Sequence, residues 1–172
     1  MNRIKEIRTR LSWLVVGLAV SLLIAKTISG FEDVLNQDLT LAAFIPLVVY
    51  MSDAVGTQME AIIIRELNVR KKKFNFIQFL RRQASIVLPV SLIIGVLSGI
   101  SLELWRHDSH LSLTIGLSLM AGILTSLITG ALMPYMFWRL HKDPAEASGP
   151  VATVTQDFLS IVTFFLIAKV FI

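Results

Sequence analysis

Apolar runs long enough to cross a bilayer fill most of this chain and leave room for little else. A spanning helix needs about 20 consecutive, predominantly apolar residues. Runs of that kind lie at residues 11–28, 39–64, 84–104, 111–138 and 151–172. Residues are 55% hydrophobic and 16% charged, whereas an ordinary soluble domain carries about 25% charged residues. The alternating ten-residue segments that a membrane barrel requires are absent. The expected fold is therefore an all-α polytopic membrane protein, a single transmembrane domain of five helices.

The formal net charge of +4 does not point to nucleic acid, because the basic residues flank the apolar runs. All of the 16 Lys and Arg residues except Lys26, Arg106 and Lys169 fall in three places. These are the N-terminal tail, the connection between the second and third runs, and that between the fourth and fifth. The positive-inside rule puts those segments in the cytoplasm, the N-terminus with them and the C-terminus outside. Lys26 interrupts the first apolar run and no small-residue cleavage site follows it, so this run is a retained span rather than a signal peptide. Residues 68–82, NVRKKKFNFIQFLRR, are basic with an apolar set of Phe74, Phe76, Ile77, Phe79 and Leu80. That composition suits a short helix lying in the membrane interface. Small residues recur at every fourth position at Gly95 and Gly99, and again at Gly122, Ser126 and Gly130. Such spacing lets helix backbones approach closely.

Catalytic motifs are missing: there is no HExxH, no G-x-S-x-G and no Walker loop. Cysteine is absent, and His107, His110 and His141 stand in connections or at span ends. The expectation is a non-enzyme. Carboxylates are more informative. Asp53, Glu60 and Asp157 fall inside apolar runs, where an ionised acid costs at least about 2.5–3.5 kcal/mol on insertion scales. No basic residue stands at their depth, since Lys26 and Lys169 lie near span ends and can snorkel. Either these acids are protonated, or they line water and attract cations. Asp53, Thr57 and Glu60 share one face of a helix by their spacing. Acids with waters around them suit a hard divalent ion such as Mg²⁺, which dehydrates reluctantly. One acid per protomer makes a poor site, and a two-fold homodimer would bring two copies of Asp157 together.

Three stretches resemble the membrane domain of the MgtE family of magnesium channels and transporters. FIPLVVYMSDAVGTQMEAIIIREL matches the family's P-x(5)-GGN-x-G-x-Q…R segment at Pro46, Gly56, Gln58 and Arg65. GALMPYMFW resembles the family's fourth-span ending, with Pro134 in place. DPAEASGPVATVTQD matches a DPA-x-x-SGP…D run at Asp143, Pro144, Ala145, Ser148, Gly149, Pro150 and Asp157. The family's two glycines and asparagine correspond to Ser52, Asp53 and Ala54 here, so an acid stands beside a lost amide.

The resemblance implies a homodimer in the lipid bilayer whose ion path runs between protomers, lined by the second and fifth spans. It implies Asp157 as the central metal-site acid; Asp53 and Glu60, read from the residues themselves, are expected to add negative potential along the path. Ser52, Thr57, Gln58, Thr153, Gly149 and Pro150 are the expected pore-lining residues. The expected cargo is Mg²⁺ or a related divalent cation, and the expected location is the plasma (inner) membrane as a multi-pass protein. Family members carry cytoplasmic sensor domains ahead of the first span, where this chain has about ten residues. The expectation is a short form whose gating is intrinsic, ion-coupled or supplied by a regulatory partner. Two rivals remain: a Na⁺- or proton-coupled Mg²⁺ exchanger, and a non-transporting membrane scaffold or regulatory subunit.

Overall fold

The structure, a computed structural model, describes residues 3–70 and 74–171, with the side chains at 3–6, 8–10, 12, 13 and 145–150 outside that description. Among the described residues every element is helical. The order is α1 (Arg3–Ser29), α2 (Glu32–Gln37), α3 (Leu41–Arg70), α4 (Phe76–Arg106), α5 (Ser109–Arg139) and α6 (Pro144–Phe171). Four helices have the length and hydropathy to cross a membrane: α3, α4, α5 and the Val151–Phe171 part of α6. The apolar Leu14–Ser29 part of α1 is shorter.

The bundle is arranged around α5. Helices α3, α4 and α6 all pack on it, α3 and α6 also touch each other, and α1 and α2 rest on α6. The sequence of α5 allows this because it presents small residues in more than one direction. A Cβ placed on Gly116 would come within 2.8 Å of the Gly95 carbonyl oxygen, so α4 and α5 meet backbone to backbone. The Gly95 and Gly99 pair therefore packs on α5, at Gly116 and at the Ser112 carbonyl. On another side, a Cβ on Gly130 would lie 2.5 Å from the Gly56 carbonyl of α3, and Gly122 abuts the Ser52 side chain. Contacts this close are available to glycine alone.

Two apolar clusters fill the bundle, one towards each end. The first gathers Leu41, Phe44 and Val48 with Ile115, Leu119, Phe164 and Phe165. Phe31 stacks on Phe165 at 4.8 Å and ties the short α2 corner to it. The second gathers Met59, Ile63 and Leu67 with Phe79, Ile123, Leu127 and Ala131. Ser52, Ser126, Thr129, Gln156 and Ser160 are also buried. Ser52 falls between the two apolar sets on α3, and Gln156 and Ser160 just before the apolar set on α6, while Ser126 and Thr129 interleave with the second set on α5, so a polar layer crosses the bundle from α3 through α5 to α6.

Several boundaries differ from the sequence expectation. No separate helix occupies residues 68–82 among the described residues. Arg70 ends α3, and Phe76–Arg82 form the opening turns of α4, capped by Asn75 Oδ1 accepting from the Gln78 amide at 3.0 Å. The basic run suggests an element of its own, but a capped apolar turn at Phe76 continues directly into the long helix. Likewise α6 starts at Pro144 and continues through Gly149 and Pro150, ahead of the expected fifth span at residues 151–172. Proline is pre-organised for the first helical position, and the turn lies earlier, at residues 140–143. There His141 adopts φ 58° and the Lys142 amide reaches back to the Phe137 carbonyl at 3.0 Å. With the His141 amide donating to the Trp138 carbonyl at 3.0 Å, this is a Schellman ending. His107 closes α4 in a similar left-handed conformation, φ 52°. Two of the connection histidines thus terminate helices.

Candidate functional site

The polar layer is built by a repeated offset. On α3, Ser52 and Gly56 face α5 and are buried, while Asp53 is half-buried and Thr57 exposed. On α6, Ala152, Gln156 and Ser160 are buried, while Thr153 is exposed and Asp157 half-buried. Successive residues of a helix point about 100° apart. Each acid therefore follows an anchoring residue by one position and is turned away from α5. The same geometry on two helices that touch each other directs both acids to one side of the bundle. The charges of Asp53 and Asp157 act on each other.

A narrow cleft of about 10 Å³ opens beside Asp53, the volume of roughly one water-sized sphere, and Asp157 stands outside its lining. From α3 it is lined by Asp53, Gly56, Thr57 and Glu60; from α5 by Thr129 and Gly130; from α6 by Ala152, Thr153 and Gln156. Every side of it offers oxygen atoms. Among the described residues no three His, Cys, Asp or Glu side chains gather in one cluster. A protomer thus supplies two interacting carboxylates, a third acid along the same face, and hydroxyl and amide groups between them.

The remaining candidate residues are distributed as follows. Thr57 Oγ1 donates to the Asp53 carbonyl at 2.9 Å and keeps its lone pairs toward the cleft. Ser52 is fully buried, donates to the Val48 carbonyl at 2.7 Å and packs on Gly122, so it stands behind the cleft. Gln58 is exposed on the adjoining face of α3, outside the cleft lining. The backbone at Gly149 and Pro150 belongs to α6, while their side-chain surroundings lie outside the described residues.

Gln156 and Thr129 are functional candidates that sequence reasoning passed over. Gln156 is 2% exposed and reaches from α6 across to α5. Its Oε1 accepts from Thr129 Oγ1, and its Nε2 lies 3.3 Å from the Gly122 carbonyl and 3.0 Å from Ser160 Oγ. A signal was present in the sequence. An amide directly before an acid, inside an apolar run, needs a partner as much as the acid does.

Comparison with known proteins bears on this arrangement. A family model described as MgtE, divalent cation transporter, matches residues 45–167. Three curated proteins described as magnesium transporter MgtE are similar to the chain. That of Bacillus subtilis is 33% identical over 95% of this chain and 36% of its own length. That of Enterococcus faecalis is 30% identical over 99% of this chain and 38% of its own. That of Thermus thermophilus is 26% identical over 93% of this chain and 36% of its own. The chain therefore spans little more than a third of the length of these relatives.

Proposed function

Because the chain belongs to the MgtE family of divalent cation transporters, we propose that it carries Mg²⁺ across the membrane along the face shared by α3 and α6. One observation carries this: two carboxylates, Asp53 and Asp157, sit half-buried on membrane-length helices, each one position after a residue packed against α5 and beside an exposed threonine of its own helix. Such a face is expensive against lipid. A second copy of the chain, related by a two-fold axis, covers it and doubles the acids. Four carboxylates around one axis repel each other unless a cation lies between them. Mg²⁺ retains most of its waters when bound, so hydroxyls such as those of Thr57 and Thr153 serve as partners for those waters. Asp157 is the principal acid, Asp53 its neighbour, and Glu60 extends the negative potential along α3. The path lies in a five-span protomer of the plasma membrane, with α1 as the additional span.

Mg²⁺ uptake into liposomes holding the purified protein, followed with an indicator dye inside, tests this reading. Uptake driven by the Mg²⁺ gradient alone supports a channel-like path. Uptake that requires an opposed Na⁺ or proton gradient assigns the chain to the coupled exchangers instead. No uptake under either condition would mean a scaffold or regulatory subunit.

A further inference from the structure

The rotation of α6 about its own axis decides whether Asp157 faces Asp53 or the interior of the protomer. In the polar layer, one side chain fixes that rotation. Gln156 stands immediately before Asp157 and is 2% exposed. Its amide orientation is determined by chemistry: the Gly122 carbonyl can only accept, so Nε2 must face it, and Oε1 then faces the Thr129 hydroxyl. Ser160 Oγ at 3.0 Å and Thr125 Oγ1 at 3.4 Å complete the surroundings of Nε2. Gly122, Thr125 and Thr129 are three and four residues apart, forming one stripe of α5. An α6 turned by a fraction of a residue would leave this buried amide without its partners, which a membrane interior penalises.

We infer that Gln156, held by Thr129, is a positioning residue of the ion path: it locks α6 at the rotation that turns Thr153 and Asp157 towards Asp53. The role rests on the transport function proposed above. An apolar side chain could also fill the space between α5 and α6, but it would specify no single rotation, whereas a directional amide does. The lock also lies at the path itself, because Gln156 and Thr129 both line the cleft that Asp53 and Thr153 border.

The test compares wild type with Gln156→Leu, Thr129→Val and Thr129→Ser in liposomes, at matched amounts of folded protein. Two quantities are read: the Mg²⁺ concentration giving half-maximal flux, and the ratio of Mg²⁺ to Ca²⁺ flux. Loss of a group that orients a metal-binding acid typically weakens metal affinity about 10-fold or more. A change of that order is expected in Gln156→Leu and Thr129→Val, in the half-saturating concentration or the flux ratio. Thr129→Ser keeps the hydroxyl and stays within about twofold of wild type on the same scale. A merely structural residue would lower thermal stability and leave both quantities unchanged in the protein that folds, and that result overturns the role. Should Gln156→Leu not fold, the Thr129→Val and Thr129→Ser pair decides. Wild-type flux that is lost in Asp157→Asn but indifferent to Thr129→Val defeats this inference alone. Absent wild-type flux, or an unaffected Asp157→Asn, defeats the underlying function and this role with it.

Discussion

At the scale of residues, the fold separates neighbours that look alike in the sequence. Ser52 and Asp53 are consecutive and polar, yet Ser52 is buried with its hydroxyl on the Val48 carbonyl, and Asp53 borders the cleft. Ser52→Ala should therefore cost no more than about 0.5–1.5 kcal/mol of stability, the net value of one hydrogen bond, and leave Mg²⁺ flux close to wild type. Asp53→Asn should fold normally and lower flux severalfold, because it removes a charge that Asp157 faces. Flux and thermal unfolding of the two variants, measured on the same preparations, check the contrast. The acids were legible in the sequence because a charge inside an apolar run has no ordinary reason to be there. Ser52 could not be distinguished from them, since a serine satisfies itself on the preceding turn and is indifferent to where it sits. Gln156 was overlooked for the opposite reason. Its partners, Gly122 and Thr129, are about thirty residues away, and only the packing of α5 on α6 brings them together.

At the scale of elements, close backbone approach is what holds α5 at the centre. Gly116→Ala would push a methyl group to 2.8 Å from the Gly95 carbonyl, and Gly130→Ala to 2.5 Å from that of Gly56. Each should destabilise by about 1–3 kcal/mol, the usual cost of overpacking. By contrast Gly17→Ala on α1 meets nothing within 4 Å and should be neutral or stabilising, by up to about 1 kcal/mol from helix propensity. Thermal unfolding in one detergent ranks the three. The α3–α4 corner is held by Glu66, with Arg70 at 2.6 Å and Arg82 at 2.8 Å. Both arginine side chains are nearly half exposed, 48% and 46%, so Glu66→Gln should cost less than about 1 kcal/mol, an effect reduced further by salt. Apolar length made the helices readable, and the small-residue spacing indicated that they pack closely. It could not say which helices meet: Gly95 finds Gly116, a glycine outside either predicted motif. Helix ends were less legible: the last apolar run starts at residue 151, yet α6 already begins at Pro144, directly after the turn at residues 140–143.

At the scale of the whole molecule, the two apolar clusters and the polar layer make one bundle with one unusual side. Against α5, the other helices pack by apolar contact, by glycine approach and through the Gln156 network. The face carrying Asp53, Thr57, Thr153 and Asp157 is left to something outside the protomer, and a second copy of the chain is the occupant proposed for it. Since the sequence has no cysteine, a single Thr153→Cys variant reports on that pairing without background. Oxidation should convert it to a disulfide-linked dimer, whereas Ile93→Cys, on the exposed face of α4, should give no disulfide-linked dimer. Asp157 is proposed as the principal acid of a Mg²⁺ path, and Mg²⁺ flux into liposomes through wild type and Asp157→Asn measures that role directly. Wild type should conduct and the variant, equally folded and equally paired, should lose most of its flux. Equal flux through both would mean that Asp157 is not an acid of the ion path.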